Sequence, residues 1–290
     1  MRSGQLEARD RMAGLITGMN ETVLKLGIFA GVFVVLALLE WLWPRRRLRL
    51  AKARRWSTNL AIVAIDSLIV RAMAAFAVPI AAVAAAAYAS EHHIGLFHWL
   101  ALAPWLTVLL AIVVLDFAIW LQHVASHKIP MLWRVHQMHH ADVDIDVTTA
   151  IRFHPIEIAL SMLWKIGWVL ALGAPFAAVV TFEIIMNAGA MFSHANIALP
   201  ASLDQWLRRI IVTPDMHRVH HSVIQREHDS NYGFNLSIWD RWFGTYTPQP
   251  AQGHQGMTIG LAHHQTPDPA RLVWSLSLPF KPGSGANRAP

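Results

Sequence analysis

The stretch FHWLALAPWLTVLLAIVVLDFAIWLQ, residues 97–122, runs directly into HVASH, residues 123–127, and the chain soon afterwards reads HQMHH, residues 136–140. The first segment is apolar over more than the ~20 residues that a helix needs to cross a bilayer. A helix is required there, because in lipid each backbone N–H and C=O must be satisfied within its own segment. Carrying the same helix onward puts His123 and His127 on one face, with Cβ atoms about 5–6 Å apart. His136, His139 and His140 share a face in the same way, at i, i+3 and i+4. Imidazoles therefore gather where an apolar helix ends.

Working outward, residues 22–43 form another apolar run, closed by Trp41 and Trp43 where an aromatic belt meets lipid headgroups. No small-residue cleavage site follows, which predicts an anchor helix rather than a removable signal peptide. Residues 59–90 make a longer run in which Pro79 is expected to introduce a kink. Asp66 and Arg71 lie inside it and read as a structural pair. Residues 156–192 are broken by Gly173, Ala174 and Pro175 into two spanning-length halves, a helical hairpin that returns the chain to its starting side. The predicted fold class is all-α, an integral membrane protein with about four to five membrane-embedded helices and a histidine-rich cap. Its organisation reads as an anchor region over residues 1–100 (helices about 22–43 and 59–90), a catalytic domain over 101–247 and a loosely ordered tail over 248–290. Little order is expected in residues 1–20, and residues 272–280 could lie on the membrane surface.

Composition agrees with a lipid solvent. Hydrophobic residues make up 54% of the chain and charged residues 14%, against about 25% charged in soluble proteins. The absence of cysteine excludes disulfides, thiolate nucleophiles and iron–sulfur clusters. The net charge of +6 does not point to nucleic acid, because no groove-reading module accompanies it. Arg45, Arg46, Arg47, Arg49, Lys52, Arg54 and Arg55 form one run after the first apolar segment, which predicts a cytoplasmic flank in contact with anionic lipid.

Eleven of the 17 histidines fall between residues 123 and 154 or between 194 and 228, on either side of the hairpin. The second window contains HRVHH, residues 217–221, which repeats the i, i+3, i+4 pattern behind Thr213 as a helix cap and Pro214 at the first helical position. Neutral imidazole suits iron, copper, nickel and zinc. The eight rings of His123, His127, His136, His139, His140, His217, His220 and His221 exceed what one zinc site needs and suit two metals. His194 and His154, at the two ends of the hairpin, come near the same membrane face, His194 as a further ligand and His154 as a ligand or a supporting group. Asp116, seven residues before His123, is expected to hydrogen-bond a ligand ring. His228 reads as a surface residue, and His92, His93, His98, His254, His263 and His264 as solvated or interfacial. The sequence contains no HExxH, no paired Glu-x-x-His, no GxSxG and no phosphate or dinucleotide loop, so any electrons must come from a separate protein.

The three clusters, together with Arg152-Phe153-His154-Pro155, Thr213-Pro214-Asp215-Met216-His217-Arg218, Asn231-Tyr232-Gly233-Phe234 and Trp239-Asp240-Arg241-Trp242-Phe243-Gly244-Thr245-Tyr246, resemble the fatty acid hydroxylase / sterol desaturase superfamily over about residues 105–247. The resemblance implies a membrane oxygenase with a non-haem centre of two iron ions, zinc being a possible occupant of purified protein. It implies O2 as oxidant, a lipid substrate to be hydroxylated or desaturated, and an external electron donor of ferredoxin or cytochrome type. It also implies that the eight clustered histidines are ligands and that His194 matches a further family histidine. Some members carry HxxxH at that place, whereas here Ala190 stands four residues before His194. The expected location is a bacterial inner membrane with the site facing the cytoplasm. The rival readings are a metal transporter, which would place its ligands at the middle of the spans, and a zinc-dependent membrane hydrolase.

Overall fold

The computed structural model describes residues 2–76 and 81–282, and the side chains of 21–73 and 81–282. The expectations for residues 1–20 and for Pro79 concern side chains and backbone outside these. Helices α1 (Arg2–Leu42), α2 (Lys52–Phe76), α3 (Ala82–Glu91), α4 (Leu96–Trp99), α5 (Pro104–Lys128), α6 (Pro130–His140), α7 (Pro155–Leu172), α8 (Phe176–His194), α9 (Ala201–Leu207) and α10 (Pro214–His220) follow in chain order. Only isolated bridges stand in for sheet among the described residues. Five segments are long and apolar enough to cross a membrane, namely Glu21–Leu42, Lys52–Met73, Pro104–Lys128, Pro155–Leu172 and Phe176–His194. The fold is all-α and integral to the membrane.

Local sequence fixes where these helices begin and turn. Proline occupies the first turn of α5, α6, α7 and α10, where its missing N–H costs nothing and its fixed φ suits the helix. Gly173 ends α7 in the left-handed conformation at φ 63°, a position that a side chain would strain. α3 presents Ala82, Ala85 and Ala86 to a core shared with Leu115, Val169 and Phe182 of α5, α7 and α8, and such small residues let helices approach closely in lipid. On the outer faces Val34, Val35, Leu38 and Leu109 stay largely exposed, a surface suited to acyl chains. Within the spans, Glu183 of α8 accepts hydrogen bonds from Lys165 at 2.7 Å and Lys25 at 3.0 Å, so that charge is paired inside the protein as burial demands.

Three expectations are corrected. Asp66 forms no pair with Arg71: the carboxyl is buried at 5% exposure while Arg71 faces outward, since five helical residues separate the two and turn them to different faces. The basic run is in part a structural tie, with Arg47, Arg49 and Arg54 left exposed. Arg55 is buried against Asp142 and Asp146, Arg45 chelates Asp215, Arg46 donates to the Met257 carbonyl, and the Arg49 backbone N–H donates to Asp144. The segment over 248–282 is packed, not loose. Met257, Ile259, Leu261 and Leu278 are buried, and Ser222 bridges Ile259, because these apolar residues close over the histidine cap.

Candidate metal centre

α5, α6, α8 and α10 carry their histidines to one end of the bundle. Two groups result, each buried. His123, His127, His136, His140 and His220 form one and His139, His194, His217 and His221 the other, the potential ligand atoms of each lying within 4.8 Å of one another. The groups adjoin, with the rings of His140 and His221 stacked at 4.5 Å.

The hydrogen bonds around the rings determine which nitrogen is free to bind. The Nδ1 atoms of His123, His139, His194 and His220 meet the backbone carbonyls of Tyr232 (2.6 Å), Arg152 (3.2 Å), Ala190 (2.7 Å) and Ser230 (2.7 Å). His136 Nδ1 meets the Glu157 carboxylate at 2.6 Å. A carbonyl or carboxylate only accepts, so Nδ1 carries the proton in each case, and Nε2 of a neutral ring is left with a lone pair. Those Nε2 atoms nevertheless point at one another. His123 lies 3.2 Å from His136 and 3.0 Å from His220, and His139 lies 3.1 Å from His194. Lone pair facing lone pair is repulsive without a cation between them. Two nitrogens bound about 2.1 Å from one ion at 90–110° would sit roughly 3.0–3.4 Å apart, which matches. Both ring nitrogens of His140 and Nε2 of His221 are buried with no hydrogen-bond partner, an unfavourable state that a metal would relieve. The residues present fit two metal ions.

Burial, reinforced by neighbouring rings, holds His139, His140, His217, His220 and His221 well below the ordinary imidazole range. They are therefore neutral, the form that ligates.

The flanking motifs set these carbonyls in place. Asp240 accepts from the backbone N–H groups of Tyr232 and Gly233, from Trp120 Nε1 and from Thr245 Oγ1, and so fixes the loop whose carbonyl anchors His123. Arg152 hydrogen-bonds the Met138 carbonyl and Asn59, while the adjacent Phe153 stacks on His139 at 4.5 Å with the rings nearly parallel. Gly189 allows α8 to approach the 231–236 loop, since a Cβ there would come within 1.8 Å of Asn235 Oδ1.

Other predicted residues lie elsewhere. His154 belongs to neither group: its Nδ1 caps α7 by accepting from Ile156 N–H and its Nε2 meets the Leu276 carbonyl, so both nitrogens are engaged. Asp116 meets no imidazole. It accepts from Asn235, Leu236 and Trp239, because its helix turn faces the 235–239 segment. A carboxylate that does hydrogen-bond a ring of the cluster is Glu157, whose only signal in the sequence is its place three residues after His154, and Asp229 Oδ1 lies 3.6 Å from His127 Nδ1. His228 is buried, not on the surface, with its ring 4.4 Å from that of His140, and burial pushes it down to about 4. His254 is likewise buried, 3.5 Å from Asp215.

A cavity of about 230 Å³ ends on His123 and His136. Its walls include Phe29, Ile119, Ile151, Phe153, Met186 and Phe234, and its polar lining includes Asp66, Gln122, Ser161, Asn187 and Glu157.

Residues 108–245 match the fatty acid hydroxylase family. The chain is 33% identical over 159 residues to alkylglycerol monooxygenase of Xenopus tropicalis, covering 54% of this chain and 34% of that protein. It is 31% identical over 153 residues to ornithine lipid hydroxylase OlsE of Rhizobium tropici, covering 52% and 45%. It is also 31% identical over 164 residues to human alkylglycerol monooxygenase, covering 56% and 34%. The matches thus span less than half the length of these relatives. No solved structure matches.

Proposed function

Because residues 108–245 match the fatty acid hydroxylase family, we propose that the chain is a member of it, a membrane-bound, non-haem di-iron monooxygenase acting on a lipid. The balanced reaction inserts one oxygen atom of O2 into a C–H bond and reduces the other to water, with two electrons and two protons from an external donor of ferredoxin or cytochrome type. One observation carries this reading: two adjoining groups of buried imidazoles lie beside a largely apolar cavity whose wall includes His123 and His136. Hydroxylation is preferred to desaturation because the named relatives are hydroxylases and monooxygenases.

In the proposed site His123, His127, His136, His140 and His220 hold one metal and His139, His194, His217 and His221 the other. Bound iron supplies the activation of O2. The protein does the rest. The carbonyls of Tyr232, Arg152, Ala190 and Ser230, with Glu157, fix ring tautomer and orientation, which supports metal affinity. The aromatic and aliphatic walls exclude water and position an alkyl chain against the ring cluster. With the basic run after α1 placed in the cytoplasm, the metal end of the bundle faces that side.

Protein purified in mild detergent should contain close to two metals per chain. Cells expressing it under labelled oxygen gas should yield a lipid with one labelled oxygen, absent from the His136→Ala variant and from anaerobic cells. Label arriving from water instead would refute the oxygenase, and a new double bond without label would assign desaturation.

A further inference from the structure

From the polar lining of the cavity, we infer that the substrate carries a hydrogen-bond-donating group, a hydroxyl or an amine, that docks on Asp66 close to the metals. The inference rests on the oxygenase reading and adds the chemistry of the substrate's polar end.

Asp66 sits within an apolar helix, is 95% buried and lines the cavity, yet its Oδ1 has no hydrogen-bond partner. A carboxyl withdrawn from water and left unpartnered is costly, and an ionisable group inside a membrane span marks a functional site by default. The neighbouring cavity carboxyl, Glu157, places one oxygen on His136 and leaves Oε2 buried with no hydrogen-bond partner. Two other polar side chains of the lining are engaged elsewhere. Ser161 donates to Gln122, and the Asn187 amide donates to the Glu183 carbonyl. No lysine or arginine lines the cavity. The pocket therefore offers unpartnered carboxyl oxygens and no cation: a hydroxyl or an amine satisfies it, whereas a fatty acid carboxylate finds no cation to pair with.

Position adds a regiochemical consequence. Glu157 lines the same cavity as Asp66 and holds His136, so its acceptor oxygen lies at the metal end of the cavity. A donor group anchored there brings the carbons next to it to the rings. Oxidation is thus directed to a carbon within a few bonds of the polar group, with the alkyl tail running along the apolar walls.

The test uses the full chain in nanodiscs doped with hexadecan-1-ol, hexadecylamine, hexadecane or palmitate, reading the thermal unfolding midpoint as a function of dopant. The alcohol and the amine should stabilise the wild type, with apparent affinity about 10- to 100-fold above that of hexadecane, as satisfying a buried, unpartnered polar atom provides. Palmitate should rank below both. Asp66→Leu should abolish the ranking. Asp66→Asn, which keeps an oxygen acceptor but cannot take up the proton exchanged with an amine, should retain part of the alcohol response and lose the advantage of the amine. Palmitate binding as well as the alcohol, or a wild-type ranking that survives in Asp66→Leu, would overturn the inference. Should Asp66→Leu not fold, the wild-type ranking and Asp66→Asn still decide it. Metal content separates the two claims. A failed ranking in protein that holds two metals and incorporates O2-derived oxygen overturns only the docking role, whereas metal-free wild type overturns the oxygenase reading and leaves the ranking measurable.

Discussion

Replacing Glu157 tests how the protein would control metal affinity at the proposed centre. Its Oε1 accepts the Nδ1–H of His136 at 2.6 Å, a short, charge-assisted contact. In a buried site such a bond contributes about 1.5–3 kcal/mol. At about 1.4 kcal/mol per factor of ten, its loss should weaken metal binding roughly 10- to 100-fold, the range seen when groups supporting a ligand ring are removed. Glu157→Leu deletes both the acceptor and the charge and should show the full effect. Glu157→Gln retains an oxygen that can accept the same N–H, keeps the tautomer and loses only the charge, so it should fall between. The unpartnered Oε2 makes the comparison informative: its removal relieves a buried polar atom, so the metal-free fold should not weaken in proportion. The assay is chelator competition on detergent-purified protein, with metal content measured at each chelator concentration and the unfolding midpoint of metal-free samples alongside. Equal chelator midpoints in wild type and Glu157→Leu would refute the reasoning. So would a loss of metal that merely follows a loss of metal-free stability.

Other perturbations separate structure from ligation. Asp116→Asn should lower stability by about 1–3 kcal/mol while leaving metal content unchanged, since its carboxylate holds Asn235, Leu236 and Trp239 and no imidazole; thermal unfolding and metal analysis check both parts. In metal-free protein His139, His140, His217, His220 and His221 stay neutral where the unfolded chain protonates below about pH 6.5. The unfolded state then binds more protons, so stability should fall from pH 7 toward pH 5, by up to about 1.4 kcal/mol per pH unit for each ring; a denaturation midpoint that rises on acidification would contradict this. Cysteines introduced at Lys52 and Gly253 should be labelled from the same face, because Gln255 donates to the Arg45 carbonyl and Arg46 to that of Met257; labelling from opposite faces would show the crossing count to be wrong.

Local periodicity made the spans and the histidine clusters legible. A run of apolar residues must be helical in lipid, and i, i+3, i+4 spacing fixes a face whatever the tertiary structure. What sequence did not show depends on contacts between distant residues. Glu157 meets His136 only because α7 crosses the end of α6, and nothing near residue 157 indicates it. His228 looked like a surface residue for lack of a partner pattern, yet Ile224 and the turn behind it fold its ring onto His140. Asp66 and Arg71 are close in number but turned apart by the helix. The tail over 248–282 looked loose because its prolines and glycines dominate its composition, although a few apolar side chains, Met257, Ile259, Leu261 and Leu278, are enough to seat it.

Arg152 imposes an order on biosynthesis. Its guanidinium donates to Asn59, to the Met138 carbonyl, to the Pro269 carbonyl and to Ser275, fastening residues made early in translation to residues made near the end, beside the carbonyl that anchors His139. Until the ribosome has delivered residue 275, this buried cation lacks two of its acceptors, and the two histidine groups are complete only with residues 220 and 221. All five spanning-length helices are thus made before the centre can close, and the proposed metals would be loaded into a finished protein rather than into a growing chain.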